Sequence, residues 1–197
     1  MIAPDRGCYQ PGCTNSTNMS AVIREADGST TYTRYCAAHS AAIYDAYVKA
    51  TQGTLFPPSA DVPMEECEFQ CVASFHEQDR RFLLLSSMRS KRFFLASLTG
   101  HQAENATLAA QYGSGDARLT HQMLLQLVEK LGATCREAAI YGFELHRGRY
   151  KCRLVVTRGE EPIEVECEVS DAVATALTAK VPLRVSEAFL FKPPGVR

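Results

Sequence analysis

The chain has 197 residues, 46% hydrophobic and 22% charged, with 21 Lys and Arg against 22 Asp and Glu, eight cysteines and a net charge of -1. That composition excludes disorder as the main state and supports one ordinary domain, or one domain plus a small module. No apolar run approaches the roughly 20 residues that cross a bilayer, and the start MIAPDRGCYQ has neither a basic nor an apolar signal region, so no membrane partner and a cytoplasmic, reducing location are expected.

Residues 1–50 carry three cysteines and few large aliphatics, residues 51–63 (TQGTLFPPSADVP) read as a linker, and residues 64–197 hold most of the Leu, Val and Phe. The first part cannot build a large core; the second can stand as a domain. Within the second part, CEFQCVASF and RFLLLSS read as strands around the polar turn HEQD, and RFFLASL as a third. After Gly100 a helix is expected with Ala103, Ala106 and Ala110 on one face. A second helix has Thr120 at its N-cap, a Leu124, Leu127, Val128 and Leu131 stripe, and Gly132 as its stop. His121 is expected to point with Leu124 and Val128 toward the core. Strands follow at about 134–144, 149–156 and 161–168, then Ser170 as the cap of a short helix, DAVATALTAK, then VPLRV and SEAFLF. This order predicts an α+β fold with a mostly antiparallel sheet and inserted helices.

In a reducing compartment eight cysteines are metal ligands, reactive thiols or small core residues rather than a disulfide framework. Cys8-x4-Cys13, then 22 residues, then Cys36-x2-His39 gives two ligand pairs separated by a loop, the arrangement a tetrahedral zinc site requires. Strand-like MSAVIRE and STTYTRY flank the turn ADGS, so a hairpin would return Cys36 toward Cys13. The segment resembles a zinc ribbon, with His39 in place of a fourth cysteine. Four protein ligands leave no open position, so the expected zinc is structural, and the module would also offer a surface to a protein partner. The competing reading is three unligated cysteines and an unrelated histidine at the start of a helix. Cys67 and Cys71 would share one strand face and form a partial second site or a pair of core thiols; Cys135, Cys152 and Cys167 read as core residues.

Arg149, Lys151 and Arg153 alternate along one strand, and Glu164, Glu166 and Glu168 along the next. With Arg158-Gly159 as the hairpin loop, the pairs are Arg153 with Glu164, Lys151 with Glu166 and Arg149 with Glu168, a self-neutralising face rather than a nucleic-acid groove. The cluster Arg80, Arg81, Arg89, Lys91 and Arg92 shows no acidic complement nearby and is the better place for phosphate; a charged hairpin edge that resists aggregation explains it equally well.

Three segments, RFFLASLTGHQAENATLAAQ, ARLTHQMLLQLVEKLGA and CEVSDAVATALTAKVPLRVSEAFL, match in order a strand with a Gly-initiated helix, an Arg-Pro-Leu-Thr-His motif opening a Leu-rich helix, and an Arg-Pro-Ser-Asp-Ala motif with helix and Pro-containing strand. On these segments the chain resembles the bifunctional nuclease domain family over residues of about 65–190. The first motif keeps Arg118, Leu119, Thr120 and His121 without the proline; in the second, Glu168-Val169 replaces Arg-Pro while Ser170, Asp171 and Ala172 remain.

The resemblance implies cleavage of RNA or DNA, with Arg118, His121 and Asp171 as the catalytic candidates and a catalytic divalent metal left open. Thr120 and Ser170, at two helix N-termini, are phosphate-binding candidates together with Arg80, Arg81 and Arg92. His121 would act as general base or acid, oriented by Asp171. The alternative for these residues is structural: two N-caps, a first-turn acid and a core histidine. No compact carboxylate cluster is visible in the sequence. The competing function is a non-catalytic, zinc-binding regulatory or interaction protein whose domain forms a homo-oligomer.

Overall fold

A computed structural model describes residues 12–15, 17–24, 30–36, 62–75, 80–112, 120–144 and 147–192. Residues 51–61 of the expected linker, the segment carrying His39, Cys8 and Arg118 lie outside them. The strands are β1 (Thr17–Arg24), β2 (Thr30–Cys36), β3 (Met64–Phe75), β4 (Arg80–Ser87), β5 (Phe93–Leu98), β6 (Ala133–Glu144), β7 (Arg149–Arg158), β8 (Glu161–Cys167) and β9 (Leu183–Ser186). The helices are α1 (Gly100–Tyr112), α2 (Thr120–Lys130) and α3 (Val169–Ala179), and a 3-10 turn, Glu187–Phe189, follows β9. Among the described residues no helix is long and apolar enough to cross a membrane.

The fold is α+β, and its sheet is mixed. Seven strands run in the order β2-β1-β3-β9-β6-β7-β8, with β4 and β5 branching from β3. The described pairings are antiparallel except β6 with β9, which is parallel because α3 returns the chain across the sheet before β9 begins. Cys67 pairs with both Ser87 of β4 and Leu183 of β9, so those strands occupy opposite edges of β3. β1 pairs with Met19 opposite Phe75 through Ile23 opposite Cys71, continuing the edge that β9 begins.

The helices cover the face of the sheet where Leu83, Leu85, Phe94, Ile140, Leu154 and Val185 meet Val173 in one core. α1 buries Ala103, Ala106 and Ala110, the face expected from their spacing, against Ala172 and Ala176 of α3. Alanines let two helices approach closely because no side chain extends beyond Cβ. Gly132, with φ +74, ends α2 in the left-handed region that only glycine adopts without strain.

Three expectations are corrected. The leucine stripe of α2 does not face the core. His121 is buried, Leu125 and Val128 are half-buried, and Leu124, Leu127 and Leu131 are 42%, 55% and 63% exposed. The inward seam is therefore His121, Leu125 and Val128; α2 has apolar residues on two faces, and only the sheet decides which one is covered. Helix α3 begins two residues before expected: Glu168 is its N-cap, with φ -79 and ψ 160, and Ser170 lies inside the helix. Last, the register of β3 against β4 shifts between Phe69 and Cys71, so one residue is bulged out and the alternation of faces resets. Cys67, Phe69 and Val72 join the core cluster while Cys71 does not, so the two cysteines do not share a face. Burial pushes both thiols up to about 12, which leaves them protonated at neutral pH.

Candidate active site

The N-termini of α2 and α3 come together. His121, one residue into α2, places Nε2 3.5 Å from Oδ1 of Asp171 in the first turn of α3. The His121 side chain is 10% exposed and that of Asp171 43%, so the pair spans the boundary between core and solvent.

Asp171 opens onto a cleft of about 380 Å³. Glu144 and Tyr141 from the end of β6, Arg149 and Lys151 from β7, and Glu166 and Glu168 from β8 and the α3 cap complete its polar wall. Carboxylates from separate strands and from the start of α3 thus line one cleft. Among the described residues, however, no three Asp, Glu, His or Cys side chains are arranged to hold a metal ion. Tyr150 anchors the cleft to the core: its ring meets Phe94, Phe143 and Phe189 edge-on at 4.9, 5.0 and 5.3 Å.

Arg149 is committed within this wall, donating from Nε to Glu144 at 2.8 Å and from NH1 to Glu168 at 3.0 Å. Hydrogen bonding to Glu144 raises its already high pKa, with the charges of Glu144 and Glu168 adding to the effect. Lys151 is exposed and has no carboxylate partner among the described residues. Its stem lies against Gly142, where an added Cβ would stand 3.3 Å from Lys151 Cδ. Cys167 also lines the cleft. Burial, reinforced by Asp171 and Glu168, pushes its thiol up to about 12, which makes it a poor nucleophile at neutral pH.

The β7–β8 register differs from the expected one by two residues. Arg158 pairs with Glu161 around a Gly159-Glu160 loop, with Gly159 at φ +65, and Arg153 stands opposite Glu166. A two-residue loop with glycine first matches the right-handed twist of the strands, which the sequence-based choice of Arg158-Gly159 did not take into account. Two expected ion pairs survive as diagonals: Arg153 reaches Glu164 at 3.0 Å and Arg149 reaches Glu168 at 3.0 Å.

The basic cluster of the β4–β5 turn is not without acidic partners, as the sequence had implied. Arg92 NH2 lies 2.7 Å from Glu65 and 3.2 Å from Glu187, and Arg89 lies 3.6 Å from Glu187. The Glu65 side chain is 2% exposed and also accepts from the hydroxyls of Ser87 and Ser90. Burial raises its pKa, but hydrogen bonds from Ser87, Ser90 and Arg92 and the charge of Arg92 outweigh that and hold it at about 2. Arg92 is therefore matched by carboxylates within the protein. Arg81 is half-buried against the start of α1, where a Cβ on Gly100 would stand 2.7 Å from its NH1. Arg80 is on β4; Thr120 is the exposed first residue of α2. Ser170 is 1% exposed, which leaves its side chain no surface to offer a phosphate. Sequence reasoning named Asp171 but missed Tyr141, Glu144 and Lys151 as neighbours of it; their position at the ends of adjacent strands was the available signal.

At the N-terminal hairpin, Cys13 Sγ and Cys36 Sγ are 3.6 Å apart, and Asn15 Nδ2 approaches Cys36 Sγ at 3.9 Å.

The family model described as the bifunctional nuclease domain matches residues 83–193, more than half of the chain. The chain belongs to the bifunctional nuclease domain family. The match runs from β4 through the 3-10 turn and includes His121, Asp171 and the polar wall of the cleft. Two uncharacterized proteins from two strains of Mycobacterium tuberculosis are each 30% identical over 113 residues. The alignment covers 57% of this chain and 66% of each relative, so the chain spans just under two-thirds of their length. These two similarities assign no activity.

Proposed function

We propose that this bifunctional nuclease domain cleaves phosphodiester bonds of RNA or DNA at the cleft beside His121 and Asp171. The observation that carries the reading is the 3.5 Å approach of these two side chains, from two motifs 50 residues apart, of which Asp171 lines a cleft, in a member of this family. The Asp171 carboxylate, 3.5 Å from Nε2 of His121, would favour the proton on that nitrogen and leave Nδ1 free to take a proton from the attacking hydroxyl or water. Lys151 would meet a phosphate oxygen, and Arg118, just before α2, would supply a second cation. Among the described residues the acidic side chains of the cleft do not converge as ligands for a metal ion.

Wild-type protein is expected to shorten labelled single-stranded RNA or DNA, with Asp171→Asn slowing the reaction at unchanged far-UV circular dichroism. Asp171→Asn cutting at the wild-type rate would remove Asp171 from the mechanism. The second reading, a non-catalytic interaction protein, draws support from the charge of the same cleft: four carboxylates, Glu144, Glu166, Glu168 and Asp171, against Arg149 and Lys151. An acidic excess disfavours a polyanion that arrives without cations.

We further propose that Cys8, Cys13, Cys36 and His39 hold a structural zinc. The 3.6 Å separation of Cys13 and Cys36 sulfurs supports this, because two thiolates on one tetrahedral zinc at about 2.3 Å stand about 3.8 Å apart. Zinc would supply the stability that a short polar hairpin lacks. Protein purified without chelator is expected to carry one zinc per chain, and Cys36→Ser to lose it. Metal content well under one per wild-type chain contradicts the site.

A further inference from the structure

Strand β6 carries an extra residue where it passes the cleft. Ile140 stands opposite Cys152 of β7 and Gly142 opposite Lys151, so two steps along β6 match one along β7 and Tyr141 is the bulged residue between them. A bulge of this kind turns a side chain out of the regular alternation of faces. The ring displaced in this way is half-buried and lines the cleft together with Lys151 and Asp171.

The neighbours of Tyr141 limit what the ring can offer. Arg153, whose Cζ stands 5.1 Å from the ring centroid, is held by Glu164 at 3.0 Å and is not among the residues that line the cleft. The cation therefore holds the ring without filling the cleft. Gly142 gives the Lys151 stem its room: a Cβ there would stand 3.3 Å from Lys151 Cδ and 3.4 Å from its Cβ. The described ion pairs of the cleft engage Arg149, through Glu144 and Glu168, and leave Lys151 its charge.

We propose that Tyr141 and Lys151 form a subsite for one unpaired nucleotide, its base stacked on the Tyr141 ring and its phosphate met by Lys151. An aromatic ring beside a cation is the combination that suits single-stranded nucleic acid, since every base has a π-face and every linkage a charge. The cleft, about 380 Å³, is of the size that takes one small ligand. A base inside a duplex is already stacked and paired and does not reach such a ring. The acidic residues set a further limit: Glu166 and Asp171 stand against Lys151, which disfavours several phosphates entering together and favours a single nucleotide over a length of backbone. The ligand class rests on the nuclease reading, and within it Tyr141 becomes the residue that selects unpaired over paired strands.

The test uses the full chain and two probes that differ by the base, adenosine monophosphate and ribose phosphate, titrated while amide chemical shifts are followed by NMR. Wild type is expected to bind the nucleotide about tenfold more tightly than the sugar phosphate, within the range that one base–aromatic stack supplies. Tyr141→Leu is expected to erase that difference and Tyr141→Phe to keep it, because the ring and not the hydroxyl makes the stack. Lys151→Gln is expected to weaken both probes alike. Equal affinity of wild type for the two probes overturns the subsite, as does binding of neither, or a preference that survives Tyr141→Leu. Neither probe has a phosphodiester bond to cut, so the outcome is separable from turnover. Base-dependent binding at Tyr141 in a protein that leaves RNA and DNA intact supports the subsite and removes the nuclease reading; cleavage without base-dependent binding removes the subsite alone.

Discussion

Arg92→Met is expected to destabilise the fold by about 3–5 kcal/mol, the cost of removing one partner from a buried ion pair. For a domain of this size that corresponds to a fall in melting temperature of roughly 6–20 °C. The reason is Glu65, which is buried and receives Arg92 at 2.7 Å together with two serine hydroxyls. Met fills much of the space of the arginine stem but leaves the carboxylate without a counter-charge. The same network ties the β4–β5 turn to the 3-10 turn after β9 through Glu187, so its loss loosens two distant parts of the chain at once.

The effect carries a pH signature. The folded Glu65 pKa of about 2 lies below its ordinary value of 4.5. The carboxylate therefore contributes stability that is fully present above pH 4.5 and is lost as pH falls toward 2. In Arg92→Met the carboxyl becomes easier to protonate, and once protonated it no longer needs a cation. The difference in stability between variant and wild type should narrow as the pH is lowered below about 4.5. A gap that stays constant from neutral pH to pH 3 would show that Glu65 is not the group concerned.

His121→Ala is expected to lower the rate of nucleic-acid cleavage by about 10²–10⁴-fold, the usual contribution of a positioned general acid or base. A purely structural histidine predicts a different pattern. Its removal would open a small cavity, lower the melting temperature, and leave the rate per folded molecule unchanged. Measuring rate and melting temperature on the same preparation separates the two roles. Asp171→Asn supplies a further distinction: as an orienting partner it changes the pH profile of cleavage without emptying a buried position, since its side chain is 43% exposed.

The order of strands and helices, the alanine face of α1 and the terminating role of Gly132 were legible in the sequence because each rests on contacts within a few residues. The facing of α2 was not. The sequence groups Leu124, Leu127, Val128 and Leu131 as one stripe with His121 beside Leu124 and Val128, whereas the fold turns His121, Leu125 and Val128 inward and leaves Leu124, Leu127 and Leu131 exposed, a choice between overlapping faces that periodicity alone does not make. The ion pairs of β7 and β8 were correctly anticipated for Arg153 with Glu164 and Arg149 with Glu168, yet the register was displaced, because long side chains reach diagonal neighbours as readily as direct ones. Arg92 looked unpaired because Glu65 and Glu187 belong to β3 and to the turn after β9, which meet only when β9 joins the sheet. The cleft was invisible for the same reason: β6, β7, β8 and the start of α3 each contribute to its wall.

The proximity of His121 to Asp171, two residues from separate motifs, is the feature on which the proposed activity stands or falls. The most direct measurement is the fate of end-labelled single-stranded RNA and DNA incubated with metal-loaded wild type and with His121→Ala, each purified free of contaminating nuclease. The expected result is cleavage of at least one of the two by wild type and a loss of at least a hundredfold in the variant, within the range that general acid–base catalysis supplies. Intact RNA and DNA after prolonged incubation with wild type would contradict the nuclease reading, and cleavage undiminished in the variant would contradict the part assigned to His121.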